Sequence, residues 1–212
     1  MSYIVYGAGG HAKVVIDILR AAGQRLIGVM DDSCRGDEWN GLKLLGNREQ
    51  IGRVLLNHPG ALFLVAIGDN AIRMSIAHQL KSAGAWFGQA IHPSAILGSN
   101  VGVGAGTVLM PGTIVNADTQ IGEHVIVNTA ATIDHDCRIG SYAHISPGAH
   151  LAGGVKVGTA AHIGIGASII PGIQVGDGTV IGAGACAVRD VPDHVVAVGC
   201  PARIINNITG GE

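Results

Sequence analysis

The stretch "NTAATIDHDCRIG", Asn128 to Gly140, is small and aliphatic except at its centre, where Asp134 and Asp136 bracket His135. An imidazole titrates near pH 6.5, so it can accept a proton at neutral pH. A neighbouring carboxylate stabilises the imidazolium and can fix the tautomer. The trio therefore has the parts of a general base. A metal ligand and a solvated surface histidine are the other uses open to it. Zinc needs ligands converging at about 2.0–2.1 Å, and Cys34, Cys137, Cys186 and Cys200 form no CxxC pair. Those thiols read as free and mostly packed.

A second group with chemical potential opens the chain. "YIVYGAGGHAKVVIDILRAAG" passes from a β-prone run through Gly7, Gly9 and Gly10 into a helix with apolar Val14, Val15, Ile18 and Leu19. A glycine turn lets backbone approach a ligand closely. The helix N-terminus behind it suits a diphosphate. Gly7-x-Gly9-x-x-Ala12 fits the dinucleotide pattern, and "RLIGVMDD" ends a second strand on Asp31 and Asp32. His11 and Lys13 in the first helical turn favour an anion. A tight strand–helix turn with no ligand fits the same residues. "GALFLVAIGDN" and "AIRMSIAHQLKSAGA" add another strand and helix. The resulting α/β unit, residues 1–85, is short of a full dinucleotide fold, which uses two such halves. That counts against a dehydrogenase.

The element that must position His135 is a repeat. From Ile91 to Ile181 every sixth residue is Ile, Leu or Val, sixteen in succession. Six-residue repeats mark a parallel β-helix. Two residues before each lies a mostly small one, such as Ala131, Cys137, Ala143 or Ala149. Residues two apart on a strand share a face, so both columns point inward and the residue between them points outward. The other three residues turn a corner. The composition agrees: 34 glycines without a collagen period, 3% aromatic and 13% charged residues leave only aliphatic and small side chains for a core. Cys137 is then a packed residue rather than a nucleophile. His135 and His124 fall on corners. His144, His150 and His162 each precede an inward residue and face outward. An eighteen-residue coil would stack His144 on His162.

The front motif "YGAGGHAKVV", the "DD", the "IDHDCRIG" and the tail "RDVP" with "GCPARII" together resemble the NeuD/PglD-type sugar acetyltransferases of the hexapeptide-repeat superfamily. The resemblance implies a Rossmann-like βαβ domain binding a nucleotide sugar, residues 1–85. It implies a left-handed parallel β-helix with a three-sided coil as the acetyltransferase domain, residues 86–212. It implies acetyl-CoA as cosubstrate, a nucleotide-linked 4-amino-4,6-dideoxy sugar of bacillosamine or perosamine type as acceptor, and a homotrimer. By the same resemblance His135 is the base and Asp136 raises its basicity. His144, Ile165 and Ala183 contact acetyl-CoA, with Ala183 standing where the family often has glycine. Gly9, Gly10, His11, Asp31 and Asp32 match the nucleotide-sugar site.

Three other readings stay open: O-acetylation of a sialic-acid-type sugar, a non-catalytic nucleotide-sugar sensor, and a zinc enzyme like the γ-type carbonic anhydrases. The last uses an H-x-x-x-x-H spacing, whereas His144 and His150 are six apart, so no metal is expected. A net charge of −2 favours no nucleic-acid partner. The chain opens without a basic leader and has no apolar run of about 18 residues, so a soluble cytoplasmic protein without a membrane partner is expected.

Overall fold

The computed structural model describes residues 1–208. The first unit is a four-stranded parallel sheet in the order β2-β1-β5-β6. Its elements are β1 (Ser2–Tyr6), α1 (Gly10–Ala21), β2 (Arg25–Met30), a hairpin of β3 (Glu38–Trp39) and β4 (Leu42–Lys43), α2 (Ile51–Asn57), β5 (Leu62–Val65), α3 (Asn70–Ser82) and β6 (Trp86–Phe87). Strands β1 and β5 are buried apolar runs, as expected where helices cover a parallel sheet. Asp69 caps α3 by accepting from the Ile72 N–H at 2.8 Å.

From Ala90–Ile91 onward the chain winds as a left-handed parallel β-helix of two-residue strands. Three sheets form the faces of a prism. The first face carries Val108, Ile126, His144 and His162 in register. The second carries Ile114, Thr132, His150 and Ser168. The third carries Gln120, Arg138, Lys156 and Gln174. The inward columns are dry: Val127, Ile133, Ile145, Ile163 and Ile181 are all 0% exposed. Burying each such side chain contributes about 1.5–3 kcal/mol. The corners repeat one conformation, with a left-handed residue such as Asp118, Ala130, Asp136, Gly154 or Gly172.

One expectation needs correction, and one residue is placed as expected but covered. Only Cys137 of the four thiols is buried; Cys34 and Cys186 are intermediate and Cys200 is exposed. His144 points out from the prism yet is only 9% exposed. The first unit docks on the first face, where α1 packs its apolar stripe against Val108, Met110 and Ile126, and this also covers His144. No helix among the described residues is long and apolar enough to cross a membrane.

Candidate active site

His135 stands on the edge between the second and third faces. Its backbone is held on every side. Asp134 N–H donates to Leu151 O at 2.9 Å, Asp136 N–H to Ala117 O at 3.1 Å, and Gly154 N–H to His135 O at 2.9 Å. From the preceding coil, the Thr119 hydroxyl donates to Asp134 O at 2.7 Å and accepts from the Cys137 N–H at 3.0 Å. Asn116 donates to the Asp134 carboxylate at 2.8 Å, and the same oxygen accepts the His135 N–H at 2.8 Å. Those hydrogen bonds, led by Asn116, hold the Asp134 carboxyl below its usual range.

The ring is exposed and bonds to Asp136. His135 Nδ1 lies 2.7 Å from Asp136 Oδ2. A carboxylate only accepts, so Nδ1 carries the proton and Nε2 keeps its lone pair. Among the described residues nothing bonds Nε2. The hydrogen bond to Asp136, followed by the charge of Asp134, raises the imidazole pKa above 6.5. Asp136 occupies the left-handed corner position at φ 60°, which aspartate tolerates better than most residues. One coil on, a Cβ on Gly153 would sit 2.7 Å from Cε1 and Nε2 of His135. Glycine there leaves the space that the ring uses. An open groove flanks this edge, and a larger one lies across the third face toward its far edge. The first, of about 450 Å³ on the second face, is lined by Asn116, Asp134, His150 and Ser168. The larger, of about 850 Å³, is lined by Arg138, Lys156 and Gln174.

The residues expected at acetyl-CoA lie elsewhere on the prism. His144 is on the first face, and Ile165 and Ala183 are exposed on the edge where that face turns into the second. His144 Nδ1 faces Gly68 O at 3.3 Å, and Nε2 faces Asn128 Nδ2 at 3.0 Å. Asn128 Oδ1 already accepts the Thr129 N–H at 2.8 Å, so the amide is oriented to donate. His144 is therefore the neutral Nδ1–H tautomer. Burial, then the charges of His162 and Arg73, lower its pKa to about 3. As the eighteen-residue coil requires, His144 stacks on His162, with centroids 4.8 Å apart.

The glycine turn lies at the carboxyl end of β1, where open α/β sheets bind ligands. Gly7 is forced: φ is 120° and a Cβ would stand 2.7 Å from Ala66 O. Gly9 and Gly10 face open space. Burial, then Arg73, lowers the His11 pKa to about 4, so this ring offers a hydrogen bond and no charge. Its Nε2 is buried and has no partner among the described residues. Asp31 braces the turn by accepting from Ala8 N–H, and from Ser33 and Cys34 N–H, each at 2.8 Å. Asp32 accepts from the Tyr6 hydroxyl at 2.7 Å and from the Arg48 guanidinium at 3.0 and 2.6 Å. Burial raises its pKa, but the bonds from Arg48 and Tyr6 outweigh this and leave it lowered.

Sequence reasoning passed over Arg48, Asn70 and Arg73. The spacing of Asn70 and Arg73, three apart at the start of a helix, puts them on one face and was the available signal for that pair. Nothing in the spacing pairs Arg48 with Asp32. Among the described residues no group of three His, Cys, Asp or Glu side chains converges to hold a metal ion.

A three-sided prism with an acid-braced histidine on an open edge, joined to a small α/β unit, defines the hexapeptide-repeat acyltransferase class. Residues 3–80 match the PglD N-terminal domain model, and residues 118–153 match the bacterial transferase hexapeptide (six repeats) model. PerB from Caulobacter crescentus, solved in complex with CoA and GDP-perosamine, is 40% identical over 97% of this chain and 98% of its own, with a TM-score of 0.92. The acetyltransferase domain of PglB from Neisseria gonorrhoeae, in complex with acetyl coenzyme A, is 36% identical over 96% of this chain and 98% of its own, with a TM-score of 0.89. UDP-N-acetylbacillosamine N-acetyltransferase of Bacillus subtilis (strain 168) is 41% identical over 105 residues, which is 47% of this chain and 47% of that protein. The chain belongs to the PglD-type family of hexapeptide-repeat sugar N-acetyltransferases.

Proposed function

We propose that the protein transfers acetyl from acetyl-CoA to the amine of a nucleotide-linked 4-amino-4,6-dideoxy sugar. The observation that carries this is His135, bonded to Asp136 at 2.7 Å, with Nε2 on an open edge and unbonded among the described residues. The neutral amine attacks the thioester carbonyl, the C–N bond forms, and the C–S bond breaks to release CoA. His135 Nε2 takes the proton that the attacking nitrogen sheds, and Asp136 stabilises the resulting imidazolium. Residues 1–85 serve as the nucleotide-sugar unit and residues 86–212 as the transfer unit. Gly9, Gly10 and His11 receive the nucleotide sugar, supported by the open space at the glycines and by a His11 Nε2 that has no partner among the described residues. Asp31 and Asp32 belong to the same site, and Asp32 acts there through Arg48.

His144, Ile165 and Ala183 line the acetyl-CoA side. In one chain the whole second face separates Ile165 and Ala183 from His135. A copy lying parallel brings the His135 edge of one prism against the Ile165 edge of the next, and three copies close this arrangement as a homotrimer. A nucleotide sugar and acetyl-CoA as substrates fit work in the cytoplasm.

The test is thiol release from acetyl-CoA with a panel of UDP-, GDP- and dTDP-4-amino sugars and a free sialic acid. Turnover of one nucleotide amino sugar is expected. Release with the sialic acid alone would assign O-acetylation. Binding of a nucleotide sugar without any release would assign a sensor.

A further inference from the structure

We propose that Arg73 is a positioning residue, which locks the wall of the nucleotide-sugar site onto the prism at a fixed distance. The proposal rests on the two-unit reading above. Arg73 is on α3 and is 1% exposed. Its Nε donates to His124 O at 2.9 Å. Its Nη2 donates to Tyr142 O at 2.6 Å and to Asn70 Oδ1 at 2.7 Å. Its Nη1 donates to Ile67 O at 3.0 Å and Gly68 O at 3.1 Å. Two of these acceptors, His124 and Tyr142, are prism corners one coil apart. Two others, Ile67 and Gly68, form the turn that leaves β5 beside the glycine turn.

Among the described residues Arg73 makes no salt bridge. Burial lowers its pKa to about 10, so it stays charged at neutral pH. A buried cation bonded to neutral carbonyls and an amide, with the Asp69 charge acting on it only from beyond contact, adds little adhesion, because desolvation offsets much of the gain. Adhesion between the units already comes from α1 on Val108 and Ile126. What the guanidinium adds is direction: its donors lie in one rigid plane, and three donors on a flexible lysine cannot span the same acceptors.

The bonds converge where the two units' chemistry meets. Gly68 O, held by Arg73, also faces His144 Nδ1 at 3.3 Å. Asn70, bonded to Arg73, reaches on to Ala160 O at 2.9 Å and Ala161 O at 3.3 Å. A displacement of this turn by about 1 Å would move the acceptor amine relative to the thioester, a misplacement worth roughly 10²-fold in rate.

The experiment compares wild type, Arg73→Lys and Arg73→Met in the full chain, with the panel member that wild type turns over. Assays are run well below each variant's Tm. Both variants are expected to bind CoA and the nucleotide sugar within about threefold of wild type by calorimetry. Over the same range kcat is expected to fall about 30-fold or more, with Lys retaining more activity than Met. A folded Arg73→Lys with wild-type kcat, or a loss confined to the KM of one substrate, would overturn the proposal. So would failure of both variants to fold, which would assign Arg73 to stability alone. Wild type that turns over no panel member would instead defeat the acetyltransfer reading itself.

Discussion

Asp136 acts on His135 in two ways. It fixes the proton on Nδ1, and it raises the ring's pKa above 6.5. As the proposed base, His135 must be neutral to accept a proton, so activity is expected to fall as pH drops through that pKa. In Asp136→Asn the amide oxygen can still accept from Nδ1, but the negative charge is gone. The acid limb of kcat/KM is then expected to move to lower pH, toward 6.5, while kcat falls because the base is weaker. A pH–rate profile of the two proteins checks this, and an unmoved limb would detach Asp136 from the base. The "DHD" trio was legible from the sequence because the repeat explains every apolar neighbour and leaves those three residues on a corner. The commitments of Asp31 and Asp32 were not, since their partners Ala8 and Arg48 are 23 and 16 residues away and meet them only in the folded chain.

The corner that presents His135 is a composite of three coils. Thr119 braces it from one side and Gly153 clears space on the other. Gly153→Ala places a methyl against the far end of a flexible ring. The ring can swing aside, so folding should change little, with Tm within a few degrees of wild type. The swing breaks the Asp136 contact, and kcat is expected to drop about tenfold or more at unchanged KM, consistent with the sensitivity of catalysis to small misplacements. Calorimetry together with steady-state kinetics separates the two effects. Equal losses of stability and rate would show that Gly153 serves only packing. At this scale the sequence was most informative. The six-residue period set the prism strands and the inward columns, and the eighteen-residue coil that the resemblance implied set the stacking of His144 on His162. The hairpin and α2 escaped notice because residues 38–57 follow no such period.

Docking of the two units explains what happened to the histidines. The outward positions of the first face include Val108 and Ile126, whereas those of the third are Gln120, Arg138, Lys156 and Gln174. That contrast marks the first face as the covered one, and the period alone does not show it. Covering it buries His124 and His144 and leaves His11 half-buried, with pKa values lowered to about 4 for His11, about 4 for His124 and about 3 for His144, in each case chiefly by burial. The unfolded chain protonates near pH 6.5 and the native chain does not, so the unfolded state binds more protons below that pH. Stability is therefore full above about pH 6.5 and lost as pH falls toward 4. Each histidine contributes about 1.4 kcal/mol per pH unit across this window. Acting in the same direction, the three make stability fall with acid, against a typical total of about 5–15 kcal/mol. A steep fall of Tm below pH 6 is expected, and a flat Tm from pH 7.5 to 5 would contradict the burial of these rings.

The central claim is that His135 removes the proton during acetyl transfer. Its most direct test is steady-state thiol release by His135→Ala beside wild type, with saturating acetyl-CoA and the nucleotide amino sugar that wild type uses. The expected result is a kcat lower by about 10²–10⁴-fold with KM values nearly unchanged. An unaltered kcat would contradict the account.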